Sequence, residues 1–293
     1  MWPLVSFVIR PGYAPTPRGF MHYVEAGSGD PLLLLHANPR SHRYFRYALP
    51  SFAQRARAIA VDIPGFGASH PVPDPPSIRS IAECFVHFLD ALGIERANFF
   101  GLHTGNKIVA ALAAEWPSRV ASAVLAGQTH SLILDKAGRD AAIRDIVEHY
   151  FPQYPDSADG VHLVRRWAAV HAEVQSLWWP QRLRTAATVS AADADNAEAH
   201  VLDYLEGWRS IVPVYEAIFA FDMEAALRRM EARTLVLELV TPHEERLGRQ
   251  AERLCAVMKN AQPAVVHADG EVLETDPDEV VQTVLRFLGA PAR

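Results

Sequence analysis

Up to Ala126 the chain alternates short apolar runs with amphipathic helical patterns. Phe20 to Ala26 reads as a strand, closed by Gly27-Ser28-Gly29-Asp30. Leu32 to Leu35 and Ala58 to Val61 are apolar at every position, the pattern of strands covered on both faces. Ile78, Ile81, Ala82, Phe85, Leu89 and Leu92 keep the spacing of one helix face, and Gly93 stands where that helix would stop. Ala97 to Leu102 is a third buried strand. Gly105 to Trp116 is a helix without interior charge beyond Lys107, and Val120 to Ala126 is a further strand. From about Gly127 to Met230 the patterns turn helical and rich in aromatics, including Phe151, Tyr154, Trp178, Trp179, Tyr204 and Trp208. The strand–helix rhythm returns with Thr234 to Val240, a helix from about Glu244 to Met258, Ala264 to Val266, and a last helix from about Glu279 to Leu288. This order predicts an α/β fold with a mostly parallel sheet covered on both faces. Its core is residues 1–127 and 231–293, and residues 128–230 form an inserted helical cap over a pocket.

Composition narrows the function classes. The 293 residues are 49% hydrophobic and 21% charged, enough for a large core. The net charge of −6 and the scattered Lys and Arg residues give no electrostatic footprint for nucleic acid. Cys84 and Cys255 fall in helical patterns and read as buried thiols, with no disulfide framework and no paired metal spacing. The apolar stretch Met1 to Val8 has no basic lead-in and is cut short by Arg10 and Pro11, so neither a signal peptide nor a membrane span is expected. The expected compartment is cytoplasmic. The expected partner is a small-molecule substrate or ligand, without cofactor, nucleic acid or membrane, and a homodimer is left open.

Three motifs follow buried strands. Gly101-Leu102-His103-Thr104-Gly105 passes from strand into helix, with glycines two before and two after the central residue. Leu35-His36-Ala37-Asn38-Pro39 follows an earlier strand, and Val61-Asp62-Ile63-Pro64-Gly65-Phe66-Gly67-Ala68-Ser69 follows another. The first resembles the nucleophile elbow of the α/β-hydrolase fold superfamily. The second resembles that family's His-Gly-x-Pro loop, with Ala37 in place of Gly, and the third its Asp-x-Pro-Gly-x-Gly-x-Ser turn. The stretch His36 to Arg46 looks like the corresponding one of haloalkane dehalogenases, where the Asn side chain helps hold halide. The resemblance runs over essentially the whole chain and extends to the haloalkane dehalogenase and epoxide hydrolase branch. It implies an eight-stranded, mostly parallel sheet, an inserted helical cap, and an oxyanion hole from the backbone N–H groups of Asn38 and Thr104.

The family's catalytic side chains are missing in all three places. The nucleophile position carries His103. The acid position falls at Thr241 or Pro242, with His243 and Glu244 next, and the histidine position at Gly270. His267 lies within the last strand pattern. An imidazole presented at the elbow can act as a general base or acid near neutrality, and acyl-imidazole is too labile to make it a good nucleophile. The sequence therefore points to His103 as the central catalytic group, with Glu244 or His130 in support. His36, Arg40, Trp178 and Trp179 are candidate substrate contacts. Each has a plainer reading: His36 as a loop-holding side chain, Arg40 with Arg43 and Arg46 as a solvated helix face, the tryptophans as packing. A metal held by His36, His103 and His130 has no spacing to support it. Two functions stay open: chemistry on a small, partly apolar carbonyl or ester compound, hydrolytic or of lyase or isomerase type, and ligand binding by a protein with a degenerate triad. A shifted register with Thr104 as nucleophile is the third reading.

Overall fold

The computed structural model describes residues 8–128, 132, 135–173, 191–241, 249–267 and 272–289. Strands β1 (Arg10–Thr16), β2 (Gly19–Ala26), β3 (Pro31–Leu35), β4 (Arg57–Val61), β5 (Ala97–Leu102), β6 (Val120–Ala126), β7 (Arg233–Val240) and β8 (Ala261–His267) form one sheet. The strand order is β1-β2-β4-β3-β5-β6-β7-β8. β2 runs antiparallel to both of its neighbours, and the pairs from β4 through β3, β5, β6 and β7 to β8 are parallel.

The uniformly apolar strands divide their side chains between two cores. Leu33, Leu35, Ile59, Val61, Phe99, Leu125 and Val236 face one side, with α2 (Ile78–Ala91) and α3 (Thr104–Glu115). Leu32, Leu34, Ala58, Ala60, Phe100, Val124, Leu235 and Leu237 face the other, with α1 (Leu49–Phe52) and the C-terminal helix. Each large side chain buried this way contributes about 1.5–3 kcal/mol, so strands without a polar face are stable only between two helical layers. α2 begins at a capping box in which Ser77 and Ser80 each serve the other's backbone N–H, and it ends before Gly93, whose φ is 64°.

Between β6 and β7 lie α4 (Lys136–Tyr150), α5 (Val161–Glu173), α6 (Ala191–Ala220) and α7 (Met223–Arg229). Phe151 stacks on Tyr204, and Tyr154 on Trp208, so these four aromatics form packing inside the helical region. α7 packs against α3. After β7 come α8 (Ala251–Val257), α9 (Val272–Thr275) and α10 (Asp278–Gly289). The helix expected from Glu244 is described only as α8, because residues 242–248 lie outside the described set. Cys84 is buried and Cys255 only partly so.

β1 is absent from the sequence reading. Pro11 and Pro15 hide it, yet both sit on an edge strand, where a missing N–H costs no interior ladder bond. The chain reverses direction across the sheet between β3 and β5: β4 lies on one side of β3, and β6 on the far side of β5. In open α/β sheets this switch point, at the carboxyl ends of the strands, is where loops diverge and leave a crevice. The β3 loop and the β5–α3 turn both leave from there.

Candidate functional site

His103 closes β5 and caps α3 with φ 48° and ψ −100°. It is the one non-glycine residue with positive φ among the described residues. The turn is sharp because the backbones around it touch. A Cβ on Gly101 would meet the Gly105 carbonyl at 2.3 Å, and one on Gly105 would meet the Leu35 carbonyl at 2.3 Å. The His103 N–H donates to the Ala126 carbonyl at 3.0 Å, tying the turn to β6. Its ring lies over Gly127, where a Cβ would come within 2.5 Å of the imidazole. Asn106 fixes the same corner. Its Nδ2 donates to the Ala126 carbonyl at 3.0 Å and the Gly127 carbonyl at 2.5 Å, and its N–H to the His103 carbonyl at 3.2 Å. Backbone strain of this kind costs about 1–3 kcal/mol and survives only where the surroundings over-determine it.

Asn38 and Thr104 meet, but not as two free donors. The Asn38 N–H donates to Thr104 Oγ1 at 3.1 Å, so the threonine's own hydroxyl occupies the donor that an oxyanion would use. Among the described residues no hydrogen bond takes the Thr104 N–H at the start of α3. The Asn38 side chain crosses to α6, where Nδ2 donates to the Ile211 carbonyl at 3.1 Å. One of its two amide hydrogens is therefore engaged with α6, whereas the dehalogenase resemblance would aim the amide at a halide.

His36 is fully buried. Its Nδ1 donates to the Ala37 carbonyl at 2.8 Å, and its Nε2 accepts the Ile63 N–H at 2.9 Å. Both ring nitrogens are spent, and the second bond requires an unprotonated Nε2. Burial pushes its pKa down to about 4, only partly opposed by the Asp62 charge. The structure thus corrects the substrate-contact expectation for His36: it pins the β3 loop to the turn after β4 and has no ring nitrogen left for a metal.

Arg40 is corrected likewise. It is only 3% exposed, neither on a solvated face nor open to a substrate carboxylate. Its Nε donates to Asp203 at 3.1 Å and its Nη2 to Glu274 at 2.5 Å. Arg43 reaches Asp203 at 2.9 Å and Arg46 reaches Glu274 at 3.0 Å, while His200 Nε2 lies 2.8 Å from the second Glu274 oxygen. Burial alone would raise the Glu274 pKa. The Arg40 charge and the His200 hydrogen bond bring it to about 2. The network joins α6 to the β3 loop and α9.

Sequence reading missed this network, the corner held by Asn106, and a buried carboxylate on β7. Glu238 accepts the Gln250 N–H at 2.8 Å and the Ala251 N–H at 3.4 Å at the start of α8, while Gln250 Nε2 donates to the Gln128 carbonyl at 2.8 Å. A charged residue within an otherwise apolar strand was the one available signal. A second missed cluster surrounds Asp62, whose oxygens take Nδ1 of His22 and Nδ1 of His42 at 2.8 Å each, and the N–H groups of His42 and Ala68 at 2.7 and 3.0 Å. Burial would raise the Asp62 pKa, but the two imidazole hydrogen bonds hold it far below the carboxylate range. These three residues are the described group close enough to share a metal ion. The carboxylate already accepts four hydrogen bonds, so an ion would have to displace two of them. A shallow cleft of about 550 Å³ lined by Tyr13, Phe20, Ala68, Ser69 and His70 lies at the β1–β2 edge, two strands removed from β5.

His130, Glu244, Trp178 and Trp179 lie outside the described residues, as do His243 and Gly270. Thr241, at the end of β7, is buried, and His267, at the end of β8, is exposed. No described helix is long and apolar enough to cross a membrane.

A family model described as alpha/beta hydrolase fold matches residues 30–164. Bifunctional epoxide hydrolase 2 of Sus scrofa is 35% identical over 116 residues, which cover 39% of this chain and 20% of that protein. Haloalkane dehalogenase 2 of Mycobacterium tuberculosis is 37% identical over 109 residues, covering 37% of this chain and 38% of that protein. The chain thus spans between about a fifth and two fifths of the length of the curated relatives it matches. A hydrolase from Pseudomonas aeruginosa superposes with a TM-score of 0.69 at 21% identity, over 96% of this chain and 99% of that one. That likeness is one of fold.

Proposed function

We propose that this chain, which has the α/β-hydrolase fold, is a member of that superfamily and an enzyme acting on a small, partly apolar carbonyl or ester compound, with His103 as general base or acid. The observation that carries this reading is the strained backbone at His103: the fold keeps an unfavourable φ of 48° to present an imidazole where the family presents its reacting side chain. The carbonyl oxygen lies against the Thr104 N–H and, once Thr104 Oγ1 turns away, against the Asn38 N–H. The helices between β6 and β7 serve as a cap that keeps water from the base. Hydrolysis, C–C cleavage and proton abstraction beside a carbonyl all use this arrangement.

The test is turnover of a panel of 4-nitrophenyl esters, lactones and β-keto acids, followed by mass spectrometry. His103→Ala should lower kcat/KM by about 10²–10⁴-fold without lowering Tm. Unchanged rate constants in that variant overturn the proposal. One observation favours a second reading, a binding protein without turnover: the Thr104 hydroxyl already fills the Asn38 N–H. That reading gives saturable binding with no product across the panel.

A further inference from the structure

Among the described residues, Asn38 Oδ1 is one of the buried polar atoms at the elbow that lack a partner. Asn38 is 8% exposed, and its Oδ1 has no hydrogen-bond partner. The amide orientation is not arbitrary. The Ile211 carbonyl can only accept, so the group 3.1 Å from it must be the NH₂, and the oxygen faces the other way. The backbone of the same residue is tied to Thr104 Oγ1 at 3.1 Å. Oδ1 therefore sits in the seam between the β3 loop, the elbow and α6, beside the proposed oxyanion donors. A buried amide oxygen in such a seam costs free energy until it receives a donor.

We propose that the ligand of the His103 site carries a hydroxyl or N–H group that donates to Asn38 Oδ1, close to the carbonyl oxygen held at Thr104. This rests on the reading of the His103 site as the ligand site and names the substrate class: hydroxylated or amide-bearing carbonyl compounds. Halides, epoxides, ethers and simple esters have no donor to offer. They would keep Oδ1 buried and unpaired, and one of the two amide hydrogens that could hold a halide is already given to Ile211. The two recognition points lie close together, because one is Asn38 itself and the other is bonded to it. The donor and the carbonyl therefore belong to one small functional group, such as a hydroxy-carbonyl or a secondary amide.

A matched-pair screen by protein-observed NMR titration tests this on the full chain. Each probe is a small aromatic or aliphatic hydroxy-ester, hydroxy-ketone or secondary amide, paired with its O-methyl or N-methyl congener, and sodium bromide is added as a separate probe. Site occupancy is read from the His103 imidazole resonances, assigned by their loss in His103→Ala. The expected result is that donor-bearing members bind about tenfold or more tightly than their methylated partners. Asn38→Ala should bring the donor-bearing member of each pair down to the affinity of its methylated partner. If Asn38→Ala does not fold, Asn38→Asp, which keeps an acceptor, should retain the preference. Equal binding within pairs, or bromide shifting the His103 resonances with an Asn38-dependent response, overturns the donor requirement and leaves the site reading standing. No probe reaching His103 overturns both.

Discussion

Around Arg40, every carboxylate oxygen is met. Asp203 accepts from Arg40, Arg43 and the Ser41 hydroxyl, and Glu274 from Arg40, Arg46 and His200. Around His103, in the β3 loop and the elbow, the backbone is strained, one proposed oxyanion donor is covered by a neighbouring hydroxyl, and the side-chain oxygens of Asn38 and Asn106 lack partners. Both regions bury polar groups against α6 or the sheet. The carboxylates that fasten α6 to the core find every partner within the chain, and what stays unmet beside them is donor capacity, Arg46 Nε and Nη2, whereas at the elbow it is acceptor oxygens that lack a donor and that something else can complete.

The sharpest way to break this comparison is to open the network. Arg40→Met leaves two buried carboxylates short of their shared cation, and should lower stability by about 3–5 kcal/mol. Urea unfolding measures it, and a loss below about 1 kcal/mol would show that α6 is fastened by apolar packing alone. The next largest effect follows pH. The His36 pKa is about 4 in the fold against 6.5 for the free side chain, so the unfolded chain takes up its proton first as pH falls. The folded state therefore loses stability between about pH 6.5 and 4, and nothing from this group above that window. From pH 7.5 to 4.5 the stability difference between wild type and His36→Gln should shrink by roughly 2–3 kcal/mol. A constant difference would mean that His36 titrates alike in both states. The smallest effect has the opposite sign. His103→Gly releases the strained φ and should leave the protein as stable as wild type or about 1 kcal/mol more so, even as turnover disappears. A lower Tm would make His103 a structural residue and draw the two regions together.

The layer order was legible in the chain because it depends on local periodicity. Apolar runs such as Leu32 to Leu35 must lie between two helical layers, and Gly101 and Gly105 around His103 mark a turn that only glycines can close. The same reasoning placed Asn38 beside Thr104. It could not say that the Asn38 N–H would be covered by a hydroxyl, that its side-chain amide would donate to Ile211, or that Arg40 would be buried between Asp203 and Glu274. Those partners are separated by 66, 173, 163 and 234 residues. No period in a sequence encodes such pairings. They exist only once α6 and α9 are laid against the β3 loop, which is why the elbow could be read from the chain and the polarity of the site around it could not.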